Sequence, residues 1–467
     1  MSGATATVIP PATSVTLHGN GRPDEASSIL AARPRRAWGD YALIAAVAFV
    51  AHFCLAYTFG FYEDDYIYSA EVMTWDWGRF VRDMGEGLVG FGNGRPFNHL
   101  MGRGLSYLGW ATLGIPGMYL FGFISVATTS ILLCRMLEMA PCMARPLPLL
   151  GALAFLLFPA HAARPHLNYN LCVHPAFAFF ALGGICYLRG MRVWPYVLLV
   201  CVLFAYETAF LPFLALPLLG EDRGRRLVRR FAAHLACCAG VVIGVVVLRK
   251  LVGEVRMTGA MGDPKDIPWK IAWGTAIGIT TSMREFVGRP IYLLRNHGAV
   301  PYACSLAVAL GGGAVLAVAF GAQALRGRWH ATTRDTRTAL AHLARPALTG
   351  VVMLLPAYAF GFTHYPPDAT FGRESAEHTG AQVGAAILVA CIAVATVQLF
   401  AAIRLRYVAT TLLGAYFGLL IGFSFMVQRG FERSWVDQSK FWNDVLRLCP
   451  DLSDGTTIFL DGYTFPN

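Results

Sequence analysis

Long apolar runs alternate with short polar breaks along most of the chain, and this alternation predicts the architecture. The runs are Tyr41–Phe61, Gly117–Leu137, Leu147–Pro159, Pro175–Leu188, Trp194–Leu219, Phe231–Leu251, Val300–Ala324, Leu348–Phe362, Ala381–Ile403 and Tyr407–Met426. An α-helix needs about 20 apolar residues to cross a bilayer, so most of these read as spans. Trp194–Leu219 is the exception. Arg189 and Arg192 precede it and EDRGRRLVRR follows it, and basic loops mark the cytoplasmic side. With both ends on one side, the run is expected to be two half-length helices meeting near Tyr206-Glu207-Thr208; one ordinary span is the alternative. Counting the broken pair as two gives about eleven crossings. The expected fold is an all-α polytopic membrane protein.

The polar segments complete the expected layout. Residues 1–37 are rich in Ala, Pro, Ser and Thr and end in Arg33, Arg35 and Arg36, as a disordered cytoplasmic tail would. A transmembrane domain is expected over 38–427. It has a large first periplasmic loop, 62–116, with interfacial helices near Tyr66–Met84 and Asn98–Thr112, and a second outer segment, 253–298. Residues 428–467 read as a short periplasmic segment of one helix and one strand. The first apolar run starts too late for a cleaved signal peptide and is expected to stay as an anchor.

Composition agrees with this picture. Of 467 residues, 56% are hydrophobic and 14% charged, where a soluble domain is nearer a quarter charged. The net charge of +10 could suggest nucleic acid, but 34 Arg and only 4 Lys sit mostly in short loops between apolar runs. That is membrane topology, with the bilayer as partner and no nucleic acid expected. Most of the eleven cysteines lie in or beside apolar runs and act as small hydrophobes.

The chemistry is concentrated in the stretch Phe61–Arg103. Glu63, Asp64 and Asp65 stand together at the outer end of the first span, with no Lys or Arg within ten residues on either side. A carboxylate beside a cavity is what a general base requires, and Asp64 and Asp65 are both candidates. Further on, Asn93-Gly94-Arg95-Pro96 makes a turn at which Arg95 could hold a phosphate by its planar fork. Arg103, Arg284, Arg289 and Arg295 are secondary candidates for the same task. Glu207, inside an apolar run, marks a paired or functional position. His166 and His174 lie in an outer loop with His161 and Cys172, whose spacing matches no standard metal site; no metal or other cofactor is expected. Arg373 and His378 precede a later span and are candidates for phosphate or sugar.

Together these features resemble the GT-C superfamily of multi-spanning glycosyltransferases, which includes the protein O-mannosyltransferases, the lipid A aminoarabinose transferase and the serotype-converting glucosyltransferases. The resemblance rests on the acidic pair Asp64-Asp65 opening the first outer loop and on the Asn93–Leu100 stretch. It rests also on Tyr206-Glu207-Thr208 followed by Leu211-Pro212, and on Gly372–Gly384. It implies inverting transfer of a sugar from a polyprenyl-phosphate donor to a hydroxyl of a glycan, lipid or protein acceptor. It implies a site on the periplasmic face of a bacterial inner membrane, with the N-terminus cytoplasmic and the C-terminus periplasmic. The base would be Asp64 or Asp65; Arg95, with Arg373 second, would meet the lipid phosphate. A lipid or glycan transporter or flippase, or a noncatalytic glycan-assembly partner, is the alternative; no internal repeat of the transporter kind is visible.

Overall fold

The computed structural model describes residues 38–90, 94–220, 222–254, 265–296, 300–327, 329, 336–359, 367–451 and 456. The expected tail 1–37, Asn93 and the expected C-terminal strand lie outside them. Among the described residues the chain is helical throughout, and eight helices are long and apolar enough to cross a membrane. Three shorter apolar helices, Leu147–Leu156, Trp194–Ala205 and Glu207–Leu219, accompany them. The chain is an all-α, multi-pass membrane protein.

The first helix, α1 (Trp38–Ala48), continues through a widened turn at Phe49–Phe53. The Gln428 side chain serves this break, donating to Val50 O at 2.9 Å and accepting the Leu55 N–H at 3.1 Å. The loop that follows is more ordered than its sequence suggests. Short helical turns at Tyr66–Ala70 and Glu71–Thr74 precede the amphipathic helix α2 (Trp77–Val89), whose first turn Asp76 caps by accepting the Arg79 N–H. The helix expected over Tyr66–Met84 therefore starts late, at the capping residue. Helix α3 (Pro96–Leu113) begins with proline at its first position, where the missing N–H costs nothing.

Helix α4 (Ile115–Met139) leads to α5 (Leu147–Leu156), in which all ten residues are buried. A helix apolar on every side belongs at the centre of a bundle, and α5 packs between α4 and the later helix over Gln382–Ala402. Helices α6 (His174–Leu188) and α7 (Trp194–Ala205) pair closely. The break expected near Tyr206 is present: Tyr206 is extended (φ −156°, ψ 109°), and a tight 3₁₀ helix, Glu207–Leu219, follows. Pro212 and Pro217 lie inside it, and each lacks the N–H that a regular α-helical ladder would need. Helices α8 (Gly224–Leu251), α9 (Ile267–Arg295), α10 (Val300–Leu325), α11 (Thr336–Leu354) and α12 (Gln382–Ala402) follow.

The last helix, α13 (Arg406–Leu448), runs unbroken for 43 residues, through position 428. Its polar half packs on the loop after α1: the Tyr62 hydroxyl donates to Phe431 O at 2.8 Å, and the Gly60 backbone lies against the Trp435 ring, where no Cβ would fit. Its apolar half pairs with α10 through Gly414, Gly418 and Gly422. At Gly418 a Cβ would strike the backbone of Ala309 and Gly313. Small residues at this spacing let two backbones approach, and the resulting van der Waals packing is one of the forces that hold helices together in lipid. Gly418→Val is expected to lower the melting temperature in detergent, at a cost of about 1–3 kcal/mol from overpacking. Gly430→Ala, where a Cβ meets nothing within 4 Å, should not lower it.

Candidate functional site

A cavity of about 470 Å³ opens where the loop after α1, the first two turns of α3, the Ala163–Val173 stretch and Arg373 meet. It gathers four of the residues picked out in the sequence: Asp64, Arg95, His166 and Arg373. Arg103, a secondary candidate, lines it too, as do His99, Asn98, Asn168 and Tyr206.

The adjacent aspartates have opposite fates, because neighbours on a tight turn point to different sides. Asp64 faces the cavity, and its Oδ1 pairs with the Arg373 guanidinium at 3.1 Å. The pair spans distant parts of the chain, which corrects the picture of an acid without a cation nearby. Asp65 is fully buried and accepts backbone N–H bonds from Leu167 at 3.0 Å and Asn168 at 2.7 Å. It ties the acidic turn to the stretch forming the opposite wall of the cavity, and does not line the cavity itself. Glu63 supplies the turn with a backbone in the left-handed region (φ 45°), a strained conformation for a side chain of this size. Such strain persists where the surroundings over-determine it, often at functional sites. Burial and the neighbouring Asp64 and Glu374 push the Glu63 carboxyl up, against the lowering effect of Arg373.

Burial pushes the Asp65 carboxyl up to about 7, although three backbone N–H groups pull it down. An unfolded aspartate titrates near ~3.9. Between about pH 4 and pH 7 the folded protein therefore holds a proton that the unfolded chain has released, and stability from this group falls as pH rises through that window. Asp65→Asn replaces one acceptor oxygen by an NH₂ facing a backbone N–H, which costs about 1–3 kcal/mol. The variant should melt lower, and its melting temperature should depend less on pH between 5 and 8.

The cationic wall is one face of α3. Arg95 sits at its N-cap, and His99 and Arg103 follow at intervals of four, so the three stack along the cavity. Helix N-termini favour anions, which adds to the side-chain charge. Each of the three side chains is held from behind. Arg95 pairs with Glu207, its Nε donating to Oε2 at 2.7 Å, and lies over the Tyr206 ring at 4.8 Å. Glu207 also takes Arg249 Nη1 on Oε1 at 2.8 Å. Asp83 accepts from Arg103 at 2.8 Å and meets His99 Nε2 at 2.7 Å, while Arg103 reaches on to Glu71 at 3.0 Å. The break at Tyr206 thus has a local purpose: it turns Glu207 toward Arg95. Glu207 positions a cation and is not itself on the lining.

Other expected residues fall elsewhere. His166 lines the cavity, but burial pushes its ring down to about 4, so it offers neutral hydrogen bonding and no charge. His174 is fully buried behind the wall, its ring edge-on to Phe155 and Tyr169. His378 is buried in a network with Tyr358 at 2.8 Å, Ser282 at 3.2 Å and Ala369 O at 3.1 Å. Arg284 and Arg289 are tied to Glu285 on α9, away from the lining. Sequence reasoning passed over His99, Asp83 and Asn168. The four-residue spacing from Arg95 through His99 to Arg103 was the signal that could have found the first. No grouping of His, Cys, Asp or Glu among the described residues could hold a metal ion.

Chemically, the site sets one carboxylate in the same cavity as a helix face carrying two arginines and a histidine, in a space also lined by Asn and Tyr. It can bind an anion at the α3 N-terminus and take a proton from a group bound beside Asp64. No family model, no curated protein and no solved structure matches the chain.

Proposed function

We propose that this protein is an inverting glycosyltransferase that moves a sugar from a polyprenyl-phosphate donor to a hydroxyl of a glycan, lipid or protein acceptor. The observation that carries the reading is the meeting of Asp64 with the Arg95–His99–Arg103 face in one cavity beside the membrane-spanning helices. In this scheme the donor phosphate lies at the N-terminus of α3, where Arg95 and the helix dipole meet its charge as it grows in the transition state. The prenyl tail lies among the apolar helices, which restricts the motion of the reacting atoms. Asp64 takes the acceptor hydroxyl proton while the acceptor oxygen attacks the anomeric carbon from the face opposite the phosphate.

The Asp64–Arg373 pair fits this sequence of events. The Arg373 side chain is 64% exposed, and an ion pair of that kind is worth only about 0–1 kcal/mol. An arriving phosphate can draw Arg373 away and leave Asp64 available as the base. We place the site on the periplasmic side of a bacterial inner membrane, with about eleven crossings, the N-terminus inside and the C-terminus outside, on the distribution of arginines along the sequence. The test is to supply purified protein with labelled polyprenyl-phosphate hexoses and pentoses and follow sugar transfer or release. Turnover that requires Arg95 supports the reading; a protein inert toward all of them overturns it.

A further inference from the structure

In the proposed reaction Arg95 meets the charge of the leaving phosphate, and no group has yet been given to protonate it. His99 is on the same face of α3 as Arg95, one turn further on, and its Nε2 meets Asp83 Oδ2 at 2.7 Å. Asp83 is itself fixed by Arg103 at 2.8 Å, and Arg103 by Glu71 at 3.0 Å. Glu71 also holds Arg79 at 3.0 Å, so the support for the ring runs across two helical elements of the loop. The packing is close: at Gly87 on α2 a Cβ would strike the His99 ring, so glycine there lets the ring seat against α2. A histidine built only to fill space does not need an aspartate locked by an arginine to set the angle of its ring.

Resting on the transferase reading, we propose that His99, oriented by Asp83, is the proton donor to the phosphate as it leaves the sugar. A charged imidazole donates from both nitrogens. Nε2–H is directed to Asp83, and Nδ1–H serves the phosphate held at the N-terminus of the same helix. The acceptor O–H bond breaks and its proton goes to the Asp64 carboxylate. The acceptor oxygen forms a bond to the anomeric carbon. The bond from that carbon to the phosphate oxygen breaks, its electron pair staying on the phosphate. The Nδ1 proton passes to the phosphate, which departs as a singly charged prenyl phosphate monoester. Exchange with water then removes the proton from Asp64 and returns one to His99. Asp83 on α2 meets the ring, and among the described residues the charged groups that share its cavity are Arg95 and Arg103 on its own helix and Asp64 and Arg373 on the other walls, with His166, Cys172 and the tyrosines as further titratable lining.

The test measures single-turnover transfer from a polyprenyl-phosphate sugar across pH for wild type, His99→Gln and Asp83→Asn, with farnesyl phosphate binding followed alongside. Proton transfer of this kind contributes about 10²–10⁴-fold. His99→Gln should lose at least about 100-fold in rate at neutral pH together with the alkaline limb of the pH profile, while still binding farnesyl phosphate. Asp83→Asn, which keeps a hydrogen-bonding partner, should lose less and shift that limb. A His99→Gln protein that keeps both the rate and the limb, beside an active wild type, overturns this step and leaves the transferase reading standing. A variant that loses rate but keeps the limb makes His99 a binding group only, and also overturns the step. A wild type that is inert overturns both, whether or not it binds farnesyl phosphate.

Discussion

Asp64→Asn is expected to reduce sugar transfer by about 10²–10⁴-fold, the range general bases contribute. The carboxamide has the carboxylate's shape and cannot accept a proton, so the change isolates proton transfer from space-filling. Stability should hardly move, because the one ion pair it removes is with an exposed Arg373 and such pairs contribute about 0–1 kcal/mol. Asp65→Asn supplies the contrast. It leaves the cavity lining intact and sets an NH₂ against one of two buried N–H partners, so it should lower the melting temperature and spare the chemistry in whatever protein remains folded. The two variants differ by one position and should fail in opposite ways. The measurement is single-turnover transfer beside a thermal melt in detergent for both. Full activity in Asp64→Asn would remove Asp64 as the base.

The contrast also shows what could be read along the chain. Apolar length made the spans legible, since a bilayer demands about 20 residues of hydrocarbon whatever surrounds them. The break at Tyr206 was legible because basic clusters bracket an apolar run that contains an acid, which favours two half-length helices over one ordinary span. Arg95 was legible as a candidate by type and position, and the structure places it on the cavity wall. Its partner was not legible. Glu207 stood out along the chain as a paired or functional position without a named partner, and in the structure its oxygens meet Arg95 and Arg249. Ion pairs between distant segments have no local signature, and Asp64 with Arg373 is a second case. Nor could the sequence separate two consecutive aspartates, because the turn that points one inward depends on a positive φ at Glu63. The continuity of α13 past 428 was hidden for another reason. Its hydropathy falls while its helical spacing continues, and only the packing of Phe431 and Trp435 on the first loop shows why it stays folded.

Glu207 makes the second large prediction. Its carboxylate is mostly buried, with a side-chain exposure of 18%, between Arg95 at 19% and Arg249 at 4%. Removing one member of such a cluster leaves buried positive charge without its counterion, which costs about 3–5 kcal/mol. The lower end applies here, since Arg95 keeps access to cavity water. Glu207→Ala should therefore accumulate poorly and melt well below wild type. If the carboxylate only balanced charge, removing the deeper arginine as well would repair the protein completely. Replacing Glu207 by Gln and Arg249 by Met in one chain exchanges a buried pair for groups of similar volume, a change that is often neutral for stability. That double variant should recover most of the melting temperature. It should not recover transfer, because Arg95 would no longer be held by a charged fork at the N-terminus of α3, and a misplaced cation stabilises a developing charge poorly. A double variant that regains both stability and wild-type transfer would make Glu207 a structural counterion with no influence on the site.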